Sequence, residues 1–573
     1  MKSSFVFRTR IIFFCISVFA LILIGKLFLV QVVHNSYYKD QADRQYSTPS
    51  SNIFERGTIY FSSKDNQLVS AAMQTTGFKV AINPTKIIDK EAVYKELSEK
   101  ISLDHDDFLA KAGKSNDPYE EVATHLSKED ADAVSGLNIP GVSVYKENWR
   151  FYPGASLASQ SLGFVAYKGD DLGGRYGLER QYNDVLSRDK DNPYVNFFAE
   201  VFSDINKTLF MSDNSQEGDI VTTIEPSVQS FLEKTLESVK EKYQVDSVGG
   251  IIMNPVDGSI YALSTKPDFD LNNFSKVKTV STFSNPLVEN VFEFGSVVKP
   301  LVMAGALDAG VVTANTTYDD KGEVTIEKHQ IFNFDKKGRG PGTTMQDVLT
   351  ESLNTGMVFV EQQLGKDKLR DYLLSYGIKD KTGIDLPNET SGLVSNILTS
   401  PREIEYANAA FGQGIALTPI ELVRALASLS NGGNLVVPHL VKAIKYDDGT
   451  EKNITYPTSR VKISEATATE ITRMLVNVMD KNLGASDNGK LEHYSIAAKT
   501  GTAQVADSAN GGYYADRHTH SFVGYFPAYD PKFIIFLYAI NPKGVPYAIQ
   551  TWGDSFLSIT NFLINYYEVP PDR

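Results

Sequence analysis

A serine hydroxyl and a lysine amine stand three residues apart in Phe294-Gly295-Ser296-Val297-Val298-Lys299-Pro300. Residues at i and i+3 of a helix share a face. A hydroxyl is a weak nucleophile until a neighbouring base, such as a neutral amine, takes its proton. Ser-x-x-Lys is not selective by itself, since it begins at Ser36, Ser143, Ser187, Ser275, Ser296 and Ser459. The residues after Ser296 separate it from the others. Pro300 to Leu307 is apolar on nearly every side, as expected of a helix buried in a domain core. Ser296 would then stand at a helix N-terminus, where the dipole favours developing negative charge.

Two further elements come later in the chain. Ser352-Leu353-Asn354 lies between helical patterns, where Ser352 could relay a proton and Asn354 hold a substrate amide. Lys499-Thr500-Gly501-Thr502 lies in a strand-like run from Ser495 to Val505, with small neighbours that let a ligand approach the backbone. A cation and two hydroxyls there could bind a carboxylate, and the backbone could offer an oxyanion-hole N–H. The other Lys-Thr-Gly, at Lys381, leads into Ile384-Asp385-Leu386-Pro387 and reads as a surface turn.

The elements that must position these groups can be read from periodicity and punctuation. Ile220–Ile224 reads as a strand, Pro226 opens a helix through Tyr243, and 249–253 with 259–263 form a hairpin. Helices are predicted at 296–309, 344–364, 366–376, 402–410, 418–431, 464–481 and 553–567, and strands at 495–505, 520–526 and 532–540. Early and late strands around a helical middle predict an α+β domain, with helices on an antiparallel sheet. Residues 34–215 read as a separate mixed region, with helices near 90–112 and 120–135.

Ile11–Val33 is the one stretch that could cross a membrane, at about 20 residues. Lys2, Arg8 and Arg10 precede it and favour a cytoplasmic N-terminus. A cleaved signal peptide is the competing reading, but no small-x-small site lies close after the apolar core. The single cysteine, Cys15, lies in this stretch as a small hydrophobe and excludes an intramolecular disulfide or a thiolate metal cluster. A net charge of −14 argues against nucleic-acid binding. His518-x-His520 lacks a third ligand nearby and reads as a polar loop.

The order and character of Ser296-x-x-Lys299, Ser352-x-Asn354 and Lys499-Thr500-Gly501 resemble the penicillin-binding proteins, the serine D,D-transpeptidases of bacterial walls. Arg56-Gly57 with Ile59-Tyr60, Tyr152-Pro153, Leu162-Gly163-Phe164-Val165 and Tyr176-Gly177-Leu178-Glu179 resemble the region beyond the anchor of class B members. Phe411-Gly412-Gln413-Gly414, Thr418-Pro419, Asn431-Gly432-Gly433 and Ser521-Phe522-Val523-Gly524-Tyr525-Phe526-Pro527 extend the likeness over roughly residues 50 to 540. Phe294 stands where the family usually has proline, Val297 where threonine is frequent, and Leu353 where a small polar residue is usual.

The resemblance implies a cytoplasmic tail (1–10), a transmembrane anchor (11–33), a pedestal of dimerisation type (34–215) and an extracytoplasmic transpeptidase domain (216–573) on the bacterial cytoplasmic membrane. It implies that Ser296 attacks a stem-peptide D-alanine carbonyl, with Lys299 as base and Ser352, Asn354 and Lys499 assisting. Thr500, Gly501 and Thr502 bind substrate, with Thr500 and Thr502 on the terminal carboxylate and the backbone N–H groups of Ser296 and Thr502 on the oxyanion. The implied partners are peptidoglycan stem peptides, β-lactam antibiotics, a multi-span membrane glycosyltransferase and other wall-synthesis proteins; no cofactor or metal is implied. The alternatives are a D,D-carboxypeptidase, a β-lactam hydrolase, or a non-catalytic scaffold or β-lactam sensor.

Overall fold

The computed structural model describes residues 55–188 and 217–573, except 115, 169–170, 483–490 and 508–510. It also describes Phe13, Val18, Phe19, Leu23 and Lys26, all helical and exposed. Among the described residues no helix is long and apolar enough to cross a membrane. The expected span at 11–33 otherwise lies outside them.

Contacts divide the chain into two compact units, one of residues 1–55 with 74–149, the other of 56–73 with 150–573. In the first, helices Lys90–Ser98, His105–Ala112 and Lys128–Gly136 start on the side-chain caps of Asp89, Asp104 and Ser127. They close over a core that includes Val80, Ile82, Leu97 and Phe108. The helix predicted near 120–135 is in fact a strand, Glu120–Leu126, followed by a helix. Val80 pairs with Ala123 in the sheet, and the Ser127 cap starts the helix only afterwards.

The second unit takes in residues 56–73 and 150–188, which the sequence groups with the first. Ile59 and Tyr60 pair in parallel with Ile220 and Val221. A buried ionic knot fastens the same segments. Glu179, fully buried, accepts from Arg56 Nε and Arg150 Nε, each at 2.6 Å. Arg150 Nη1 also donates to the Gly57 carbonyl at 2.7 Å, and Tyr152 OH donates to Glu179 at 3.3 Å. Burial opposes ionisation of Glu179, yet Arg150 and Arg56 outweigh it and hold the carboxyl below its usual range. Three of the motifs read along residues 56–179, at Arg56-Gly57, Tyr152-Pro153 and Tyr176–Glu179, are therefore parts of one clasp.

The heart of this unit is an antiparallel sheet of β1 (Ser247–Met253), β2 (Ile260–Lys266), β3 (Ala497–Ala506), β4 (Tyr513–Phe526) and β5 (Phe533–Ile540), in the order β3-β4-β5-β1-β2. Helices α1 (Pro226–Tyr243) and α6 (Ala548–Tyr567) share one apolar core with it, through Leu232, Ile252, Phe522, Leu537 and Trp552. A second core holds α2 (Lys299–Asp308), α3 (Asn354–Leu364), α4 (Pro419–Ser430) and α5 (Glu465–Asn482). The expected α+β domain, with helices flanking an antiparallel sheet, is what is found. α2 is the buried central helix: Leu301, Val302, Met303, Ala304 and Ala306 are each at most 1% exposed. Full burial of each larger side chain contributes about 1.5–3 kcal/mol.

Two predicted elements differ where the chemistry lies. Instead of one helix from 296, a 3₁₀ turn, Gly295–Val297, precedes α2. Instead of one helix over 344–364, Met345–Thr350 and α3 are separated at Ser352, whose φ is +57°. His518 and His520 lie on β4 rather than in a loop. His520 is buried, its Nδ1 is 2.8 Å from Thr551 Oγ1, and desolvation lowers its pKa to about 4.

Candidate active site

Ser296 sits on the 3₁₀ turn between α2 and the edge strand β3, and this turn is tightly fixed. Phe294 is 1% exposed, edge-on to Phe536, and its carbonyl accepts from Ser521 Oγ at 3.1 Å. The apolar ring that stands in place of a proline therefore anchors the turn to the sheet. Gly295 has φ +60°, and its N–H donates to the Gly412 carbonyl at 3.2 Å. A Cβ on Gly412, itself at φ +82°, would lie 2.1 Å from the Gly295 oxygen, so the Phe411–Gly414 loop needs glycine there. A Cβ on Gly501 would lie 2.4 Å from the Phe294 oxygen, so only glycine lets β3 pass this close to the turn.

Lys299, at the first position of α2, is fully buried. Its Nζ donates to the Ser352 carbonyl at 2.7 Å and Asn354 Oδ1 at 2.8 Å, and lies 3.3 Å from Ser352 Oγ. Lys499, on β3, donates from Nζ to Ser352 Oγ at 3.0 Å and to the Thr500 carbonyl at 3.0 Å. One hydroxyl thus bridges two buried amines. Desolvation, and then the neighbouring Lys499 charge, holds Lys299 well below the usual lysine range. Desolvation brings Lys499 down to about 7. A neutral amine has two N–H donors and a lone pair; the two short contacts of Lys299 use both donors and leave the lone pair for a proton.

Asn354 is engaged on both sides. Its Oδ1 accepts from Lys299 and its Nδ2 donates to the Phe332 carbonyl at 2.9 Å. It positions the lysine, and it also lines the cleft in which the sequence suggests a hold on a substrate amide. Behind it lies a buried network with no periodic signature in the sequence. Asp320 Oδ1 accepts from Thr355 Oγ1 at 2.7 Å, and both Asp320 oxygens accept from Asn333 Nδ2. Asn333 Oδ1 accepts from the Thr355 N–H at 3.2 Å. Asp320 and Asn333 are each 1% exposed. They couple the start of α3 to the loop that leaves strand His329–Phe332.

Ser296, Ser352, Asn354, Lys499, Thr500 and Thr502 line one cleft of about 940 Å³. Lys299 lies beneath it, and Gly501 is buried in β3 behind it. Thr502 Oγ1 accepts from the Ala548 N–H at 3.2 Å, which ties β3 to the start of α6. The other Lys-Thr-Gly is elsewhere: Lys381 is exposed, and Thr382 donates from its N–H and Oγ1 to Glu389. The arrangement sets a serine hydroxyl in one cleft with two amines that burial shifts toward the neutral form, and adds two threonine hydroxyls that can hold an anion. That is the equipment for acyl transfer through a serine ester.

A family model for the penicillin binding protein transpeptidase domain matches residues 248–552, and one for the penicillin-binding protein dimerisation domain matches 54–199. Stage V sporulation protein D of Bacillus subtilis is 31% identical over 468 residues, 80% of this chain and 68% of that protein. The chain belongs to the penicillin-binding protein family. The pairing of these two domains makes it a class B member, a serine-type D,D-transpeptidase. It is also similar to a probable peptidoglycan D,D-transpeptidase, PenA, of Neisseria gonorrhoeae, 24% identical over 97% of this chain and 92% of that protein. Among solved structures, penicillin binding protein 3 of Mycobacterium tuberculosis complexed with aztreonam shares the fold at a TM-score of 0.67. Its identity is 20%, over 91% of this chain and 98% of that one. Penicillin Binding Protein 2X of Streptococcus thermophilus gives a TM-score of 0.68 at 21% identity, over 89% and 80%.

The two amines set the pH dependence expected of this penicillin-binding protein. The proton chain needs neutral amines, so the second-order rate of acylation by penicillin should rise with pH, with the Lys499 step complete above about 7. Stopped-flow acylation between pH 5 and 9 measures this. A rate that is flat from pH 5 upward would exclude Lys499 from the proton chain.

Proposed function

We propose that Ser296 Oγ attacks the penultimate D-alanine carbonyl of a wall stem peptide while its proton passes to Lys299 Nζ. Ser352 Oγ, 3.3 Å from Lys299 Nζ and 3.0 Å from Lys499 Nζ, carries the proton between the two amines. The C–N bond breaks, the terminal D-alanine leaves with that proton on its amine, and a Ser296 ester remains. An amine of a neighbouring stem peptide then attacks the ester. Its proton returns to Ser296 along the same groups, and a cross-link forms. The backbone N–H groups of Ser296 and Thr502 hold the oxyanion, and Thr500 and Thr502 hold the terminal carboxylate beside Lys499, which is charged once the relayed proton has reached it. Asn354 keeps Lys299 in place. The observation that carries this reading is the Lys299–Ser352–Lys499 chain, whose Ser352 and Lys499 line the same cleft as Ser296.

Residues 11–33 serve as a single-pass anchor with the N-terminus inside, supported by the apolar run and the basic residues before it. Residues 34–215 act as the pedestal of a transpeptidase domain at 216–573. The enzyme works in wall synthesis during division or elongation, where a multi-span membrane glycosyltransferase supplies the glycan.

Incubation with a pentapeptide donor and an amine acceptor, followed by mass spectrometry, tests the reading. The expected product is the cross-linked peptide with one D-alanine released. Release of D-alanine with water as the only acceptor would favour the carboxypeptidase, and loss of bound penicillin within seconds the hydrolase.

A further inference from the structure

The cleft contains a cation that the transfer reaction does not use. Lys336 lines it and is exposed, in the loop after strand His329–Phe332. Among the described residues it forms no ion pair, and its Nζ lies over the Phe332 ring, 5.4 Å from the centroid. Arg339, which lines the same cleft, is instead engaged by Asp335 at 3.0 Å and Glu351 at 2.7 Å. The Lys336 backbone is held at φ +56°, uncommon for a residue with a Cβ, by its own N–H donating to the Asn333 carbonyl at 2.9 Å. Asn333 is locked in turn by Asp320 and Thr355. The loop that presents this ammonium is thus built on the network that positions Asn354. Two residues earlier, Phe334 stands 56% exposed in the same cleft, edge-on to Tyr547 across it at 5.7 Å.

A cation with no carboxylate partner next to an exposed aromatic face suits a ligand that carries an anion beside apolar groups. We propose that Lys336 binds a second carboxylate of the donor stem peptide, the free α-carboxylate of its D-isoglutamyl residue, while Phe334 and Tyr547 pack against the apolar part of the chain. This rests on the transpeptidase reading above and adds a preference: donors with that carboxylate free over donors with it amidated. Arg339 is already neutralised, which leaves Lys336 to discriminate.

The test uses the full chain and measures how well two peptides slow labelling by a fluorescent penicillin. One is N-acetyl-L-Ala-γ-D-Glu-L-Lys-D-Ala-D-Ala, and the other has D-isoglutamine in place of the D-isoglutamyl residue. The free-carboxylate peptide should protect at about fivefold lower concentration, the size expected of one solvent-facing ion pair. Lys336→Gln should bring the two peptides within about twofold of each other, and Lys336→Arg should restore the difference. Equal protection of the wild type by both peptides, no protection by either, or a preference that survives Lys336→Gln would overturn the subsite while leaving the transpeptidase reading intact. Failure of penicillin to label the wild type would overturn that reading and the subsite with it.

Discussion

Lys299→Met should lower the rate of penicillin acylation by about 10²–10⁴, the range a positioned general base contributes, while the protein still folds. Methionine has nearly the length of lysine and needs no partner in a fully buried site. It leaves the Ser352 carbonyl and Asn354 Oδ1 without their donor, which costs about 1–3 kcal/mol for each acceptor that water does not reach. Against this, the desolvated amine and its repulsion with Lys499 disappear. The two effects largely offset, so the melting temperature should move little while the label is nearly lost. Rapid-quench labelling and a thermal melt on the same preparation separate the two. A rate within tenfold of wild type would move the base from Lys299 to Lys499.

Glu179→Ala should destabilise the protein by about 3–5 kcal/mol, because it strands two buried guanidinium groups. Arg56 is 4% exposed and Arg150 9%, and both reach the same carboxylate. The Glu179 carboxyl is held below its usual range in the folded state. Its contribution is therefore present above the unfolded value of about 4.3 and is lost as pH falls through the folded value. Urea denaturation should show a large gap between wild type and variant at pH 7 that narrows in acid. A variant within 1 kcal/mol of wild type at neutral pH would mean the clasp is not needed to hold residues 56–73 and 150–188 in place.

The regular elements were legible where side-chain period and burial agree. The Pro226 helix, the hairpin at β1 and β2, and β3 and β5 lie close to their predicted positions, because each carries an apolar face that the core needs, whereas β4 begins seven residues before its predicted start, at Tyr513. The break at Ser352 was not legible. Val348, Leu349, Leu353 and Met357 continue a helical stripe straight through it, and local propensity has no reason to stop. The left-handed turn exists because Lys299 donates to the Ser352 carbonyl and the Leu353 N–H reaches back to the Val348 carbonyl at 2.9 Å. One contact is a tertiary event and the other depends on it. Asp320, Asn333 and Thr355 were missed for a similar reason. Polar residues in short strands and loops look solvated until the fold encloses them. The serine, the lysines and the Lys-Thr-Gly were found because chemistry fixes their types and order, whereas the groups that hold them need only hydrogen-bond capacity, which many residues offer.

The central claim is that Ser296 is the acylated residue. Intact-mass measurement of the wild type and Ser296→Ala after incubation with benzylpenicillin tests it most directly. The wild type should gain one penicilloyl adduct, mapped by peptide digestion to the segment that contains Ser296, and the variant none. An adduct of equal yield on Ser296→Ala would place the nucleophile elsewhere and contradict the account.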